Sequence, residues 1–117
     1  MDDLVERLLN KQPIDFESRT DSMEEVKERL IEMKFVFVTF TETRGGTELG
    51  IDVDLDLTDI ENADFDKGAG TIRVVGTCKL NYQKVRCIAE VDLSTKKGTG
   101  YLEPLDEDGN PMSTIVN

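Results

Sequence analysis

Between residues 47 and 57 apolar side chains alternate with carboxylates: Leu49, Ile51, Val53, Leu55 and Leu57 fall on one set of alternate positions, Asp52, Asp54 and Asp56 on the other. Successive side chains of a β-strand point to opposite faces, so the run reads as a strand with one apolar and one acidic face. Slipping its pairing by one residue would turn three aspartates into the core. Burial of unpaired carboxylates is too costly for that, so the pattern dictates which face is inside.

The neighbouring segments supply partners. Phe35-Val36-Phe37-Val38-Thr39-Phe40 is apolar on both faces, and Gly45-Gly46 marks a hairpin turn between it and the acidic run. Pairing Arg44 with Thr47 around that turn sets Val38 opposite Val53, Phe40 opposite Ile51 and Val36 opposite Leu55. Phe35 and Phe37 then share the aspartate face. Farther on, Ile72, Val74, Gly76, Cys78 and Leu80 form one alternating set and Val85, Cys87, Ala89, Val91 and Leu93 another. A turn centred on Tyr82-Gln83 sets Leu80 against Val85 and Cys78 against Cys87. A further turn at Lys96-Lys97-Gly98 leads to a short strand over 99–103 that brings Leu102 into the core.

Helical spacing dominates before residue 35. Asp2 or Asp3 caps a first helix carrying Leu4, Val5, Leu8 and Leu9, and Pro13 stops it. Ser22 with Glu25 three residues later is a capping-box signature, and Met23, Val26, Leu30 and Met33 make one stripe, with Glu25 and Arg29 placed for an i,i+4 pair. The expected fold is α+β: residues 1–117 form one domain, with helices over 3–11 and 22–34 packed on a curved antiparallel sheet of about five strands spanning 35–103. Residues 58–70 make a polar connection with one helical turn opened by Thr58, and 104–117 form a tail.

Charge narrows the chemistry. The net charge is -11 with no histidine. Residues 45–66 hold Glu48, Asp52, Asp54, Asp56, Asp59, Glu61, Asp64 and Asp66 without one lysine or arginine, whereas 67–97 hold seven bases and two acids. An acidic chain is a poor ligand for nucleic-acid phosphates, and the missing imidazole removes histidine-based catalysis and zinc sites. The carboxylate clusters do not fit a calcium loop: counting from Asp52, the sixth position is Leu57 and the twelfth Ala63, where a glycine and a glutamate are needed. Gly68-Ala69-Gly70 and Gly98-Thr99-Gly100 precede strands, not helices, and so read as turns instead of phosphate loops. Cys78 and Cys87 read as reduced core thiols.

These features predict a non-catalytic acidic module with no cofactor, no metal and no catalytic residue. Its start is acidic and its longest apolar run is short, so neither a secretion signal nor a membrane span is expected, and the cytoplasm is the expected setting. The expected partner is a basic protein surface, including one that otherwise holds nucleic acid, because strand aspartates recur about 6–7 Å apart, close to the repeat of phosphates along a strand. Asp52, Asp54, Asp56, Asp59 and Glu61 would carry the charge, with Phe35 and Phe37 as anchors. The alternatives are a self-associating subunit, in which the acidic segment meets the basic second hairpin or edge strands pair, and a carrier of a small ligand in the concave side of the sheet.

Overall fold

Ile14 and Phe16 alternate with Pro13 and Asp15, and this short period-two stretch decides the architecture. In a computed structural model that describes residues 3–112, it forms β1 (Gln12–Phe16) and pairs with two strands at once: with β2 (Phe35–Phe40) through Ile14 opposite Phe40, and with β6 (Lys97–Pro104) through Ile14 opposite Gly98. Between these lie β3 (Thr47–Val53), β4 (Thr71–Leu80) and β5 (Gln83–Asp92), each antiparallel to its neighbours, so six strands close into a barrel. The expected α+β arrangement, two helices on an open sheet of about five strands, is therefore wrong.

Two properties hid β1. It is only five residues long, and it contains proline, which cannot donate to a ladder. The proline is tolerated for a geometric reason. Phe16 N donates toward β6, to the Lys96 carbonyl, while Glu17 N donates toward β2, to the Phe37 carbonyl; by alternation the N–H that Pro13 lacks would face β2, where pairing begins only at Ile14.

The helices are smaller than expected. α1 (Asp3–Arg7) ends well before residue 11; α2 (Met23–Lys27) continues as a π-helical stretch, Glu28–Met33, so the second helix has close to its expected extent. The wider π turns carry Met33 off the apolar stripe, leaving it 58% exposed, while Val26 and Leu30 are fully buried. Since α1 leads into the start of β1 and α2 leaves from its end, the two helices cover opposite openings of the barrel. Val5, Leu8, Val26 and Leu30 join Phe16, Phe40, Ile51 and Leu102 in one core. No helix among the described residues is long and apolar enough to cross a membrane. Asp2 and residues 113–117 of the expected tail lie outside the described residues.

The strand faces agree with the sequence pattern, but the registers do not. Val38 opposes Leu49, not Val53, and Phe40 opposes Thr47. The loop over 41–46 is longer than a Gly-Gly turn and is held by a hydroxyl bond between Thr43 and Thr47 at 2.6 Å. In the second hairpin Leu80 opposes Gln83, Gly76 opposes Cys87 and Cys78 opposes Val85. Its two-residue turn is Asn81 and Tyr82, both at positive φ (48° and 69°), the geometry whose twist matches paired strands. Close strand approach explains Gly76 and Gly98: a Cβ there would lie 2.3 Å from the Asp52 carbonyl oxygen and 1.8 Å from that of Glu90.

A buried acid ties the N-terminal half together. Glu17 is fully buried. Its N–H donates to the Phe37 carbonyl at 2.9 Å and its Oε2 accepts from Phe37 N at 2.6 Å, so it serves both backbone groups of β2 just beyond the end of β1. Its Oε1 accepts from Arg29 Nη1 at 2.8 Å. Arg29 also donates to Glu25, the i,i+4 pair expected from the sequence. Ser22 caps α2 by accepting from Glu25 N at 3.2 Å, while the return arm of the capping box passes through Thr20, whose hydroxyl donates to Glu25 and accepts from Ser22 N. Lys96, in the turn between β5 and β6, donates to the backbone carbonyls of Glu17 and Thr20.

Removing one member of this pair strands the other charge. Arg29→Met is expected to lower unfolding free energy in urea by about 3–5 kcal/mol, and adding Glu17→Gln to recover part of that loss. A loss below about 1 kcal/mol, the scale of an exposed ion pair, would contradict the role assigned to Glu17.

Candidate functional site

All eight acids of residues 45–66 are exposed. Among the described residues only Glu48 has a cation: Arg19 donates to it through two nitrogens and lies over the Phe37 ring, 4.4 Å from its centroid. The other seven make no ion pair among the described residues, and the neighbouring bases do not neutralise them. Arg86 pairs with Glu103 at 3.3 Å instead, and Arg73 and Lys79 have no ion pair among the described residues.

The acidic strand ends sooner than its alternation implies. β3 pairs with β4 at Asp52 opposite Thr77 and Val53 opposite Gly76, Asp54 N still donates to the Val75 carbonyl at 2.8 Å, and then the chain bulges away over 55–58. Asp54 Oδ1 accepts from Asp56 N at 3.0 Å, an Asx turn, and the Thr58 hydroxyl bonds the Asp54 carbonyl at 2.8 Å and Val75 N at 3.0 Å, standing in for a backbone partner. Pairing resumes at Asp59 opposite Arg73. No helical turn forms at Thr58. Asp59 and Asp64 repeat the device, accepting from Glu61 N at 3.0 Å and Lys67 N at 3.1 Å. Three of the seven unpaired carboxylates thus hold turns, and Asp52, Asp56, Glu61 and Asp66 accept no hydrogen bond among the described residues. The even phosphate-like spacing expected for Asp52, Asp54 and Asp56 is lost in the bulge.

What the bulge builds is a hollow. An open depression of about 400 Å³ is lined by Lys34, Asp52, Val53, Asp54, Leu55, Asp56 and Thr77. Its carboxylates are too dispersed to form a metal-ligand group among the described residues. Three anionic walls around the partly buried Leu55 suit a side chain with an apolar stem and a cationic head, lysine or arginine. Phe35 opposes Asp52 across the ladder and meets Phe37 edge-on, with ring centroids 5.4 Å apart. Its ring also covers Gly50, where a Cβ would lie 2.5 Å from it. Both phenylalanines are half-buried on the outside of the barrel; Arg19 occupies Phe37, and Phe35, although opposite Asp52, lies over Gly50 and does not line the hollow.

The structure therefore brings Asp52, Asp54 and Asp56 together at the hollow and leaves Phe35 outside its lining. Asp59 and Glu61 lie farther along β4 at Arg73, and Phe37 belongs to the Arg19 contact. Sequence reasoning missed Lys34 and Thr77, which line the hollow, and wrongly put Leu57, next to Asp56 and 46% exposed, on the inward apolar face. The signal for the last was Asp-x-Asp followed by threonine, which is turn chemistry inside an otherwise regular alternation.

Cys78 and Cys87 are free thiols on neighbouring strands, not directly opposed. Burial, with the Asp52 carboxylate nearby, pushes Cys78 up to about 11; burial, with Cys78 nearby, pushes Cys87 up to about 12. Neither is a nucleophile at neutral pH. No protein-family model matches the chain, and no curated protein matches it.

The raised thiol values have a consequence for stability. Unfolded cysteine ionises near about 8.5, before the folded thiols do, so the folded state is favoured fully below that pH and progressively less as pH rises toward about 11–12. Urea midpoints are expected to fall between pH about 9 and about 11, and Cys78→Ala/Cys87→Ala to flatten that fall. The same slope in the variant would assign it to other groups.

Proposed function

We propose that this protein is a non-catalytic acidic binding module that receives basic side chains of a protein partner in the hollow around Asp52, Asp54 and Asp56. The observation that carries the reading is that three exposed aspartates line one concavity and none forms an ion pair among the described residues, not even with Lys34, which lines the same concavity. Asp59 and Glu61 extend the field along β4, which raises the rate of encounter with a basic surface, and Leu55 within the hollow supplies the apolar contact for the docked side chain, while Phe35, the anchor expected from the sequence, lies outside the lining. Basic surfaces that otherwise hold nucleic acid are within this class, on the ground of charge alone. Two free thiols suit a reducing, cytoplasmic setting. The carrier reading gains no support, because Phe16, Phe40, Ile51 and Leu102 fill the barrel and are at most 1% exposed.

Titration with a fluorescent lysine- and arginine-rich peptide tests the reading. At about 0.1 M salt, Asp52→Asn/Asp54→Asn/Asp56→Asn is expected to weaken binding about tenfold, the sum of three exposed charge contacts, and about 1 M salt to abolish it in the parent. Asparagine still accepts the turn hydrogen bond at position 54, so the bulge is retained. Binding that survives both the substitutions and the salt would sink the proposal.

A further inference from the structure

A second feature on the same face is unexplained by the fold. Lys79 and Lys84 sit directly opposite each other in the β4–β5 ladder, both exposed and neither in an ion pair among the described residues. Like charges in that relation oppose strand pairing. Two residues farther out, Tyr82 occupies a left-handed turn position, φ 69°, where glycine is favoured, and is 98% exposed. The strained backbone there gains the fold no burial. Asp106 and Glu107 line the same depression as Lys79, Tyr82 and Lys84 but form no ion pair with either lysine among the described residues, so two unneutralised cations and a bare aromatic ring remain there, the composition of a contact surface.

This tip adjoins the acidic hollow. Thr77 lines the hollow and opposes Asp52, and Lys79 follows it by two residues, on the same outer face and about 7 Å away. An acidic and a basic patch side by side on one face are self-complementary under a two-fold rotation, which sets each patch of one copy on the opposite patch of another. We infer that the partner fitted by this face is a second copy of the chain: Lys79 and Lys84 of each protomer meet Asp52 and Asp56 of the other, and Tyr82 covers the exposed Leu57 that follows Asp56. The inference rests on the reading of the hollow as a receptor for basic side chains, and makes the self-association face a competitor for any other basic partner. It replaces edge-strand pairing, since a closed barrel offers no free edge.

The net charge of -11 opposes this association, but the two effects act at different range. At physiological salt charges are screened over about 8 Å. The described fold measures 46 by 31 by 22 Å, so most repulsion between copies is screened, whereas pairs in direct contact at the face are not.

Sedimentation velocity at about 0.15 M salt, over concentrations up to about 1 mM, tests the dimer. A mass that rises to twice the monomer and stops there is expected. Lys79→Glu/Lys84→Glu and Asp52→Lys/Asp56→Lys should each be monomeric alone and form a heterodimer when mixed, because the swapped charges then complement on both sides. Tyr82→Gly should raise the thermal midpoint while weakening the dimer at least fivefold, separating contact from folding. A monomer throughout the range, a dimer indifferent to the substitutions, or a mixture that stays monomeric overturns the inference. If such a monomer still takes up the basic peptide through its aspartates, only the dimer is lost; if it takes up none, the proposed function falls with it.

Discussion

The barrel depends on a carboxylate in its interior. Glu17 stands where β1 has run out and the chain must leave for α2, a place where Phe37 would otherwise have a buried N–H and C=O without partners. One side chain and its own N–H satisfy both. Burying that charge is favourable only with a cation in contact, and Arg29, one turn beyond Glu25 on the second helix, provides it. The pair therefore fixes where the helix lies, and with it the apolar residues Val26 and Leu30 that close one opening of the barrel. Lys96 extends the same cluster to the turn before β6, so the strands on either side of β1 are joined through it.

The rigid half of the molecule presents the other. With β1 closing the sheet, β3 and β4 have fixed positions, and the bulge over 55–58 is anchored to β4 by Asp54 N, by Thr58 and by the backbone pairing of Asp59 with Arg73. The aspartates serve two purposes at once. Asp54, Asp59 and Asp64 each use one oxygen to hold a turn, which explains why short acidic residues recur there; Asp52, Asp56, Glu61 and Asp66 have no such duty, and their charge faces solvent. The thiols beneath Asp52 are inert by burial, so what this face offers is charge and shape and not covalent chemistry.

Several particulars were legible in the chain and several were not. The inward positions of Ile51, Val53, Ile72, Val74, Cys87 and Leu102, the Ser22 cap and the Glu25–Arg29 pair all follow from local spacing. Both hairpin registers were misjudged by an even number of residues, because such a slip leaves every side chain on its proper face and period-two patterning is blind to it. Turn chemistry decided instead, through Thr43 with Thr47 and through the left-handed pair Asn81 and Tyr82. The end of β3 was misplaced because alternation continues to Leu57 while Asp54 and Thr58 take over the backbone's hydrogen bonds. Candidate aspartates were recognisable as a group, but not their gathering around Leu55.

By itself the sequence determined which face of each of the strands β2 to β6 turns inward, that residues 45–66 are acid without base, and that histidine chemistry is absent. Those are properties of composition and of local period, and no contact between distant residues can alter them. Closure of the sheet, the burial of Glu17 and the hollow beside the lysine tip were decided only in the folded chain. Each requires segments far apart in sequence to meet: Gln12–Phe16 with Lys97–Pro104, Glu17 with Phe37 and Arg29, Asp52 with Thr77. A five-residue strand and a lone glutamate carry little local signal, and their energies come almost wholly from partners that the linear order does not name.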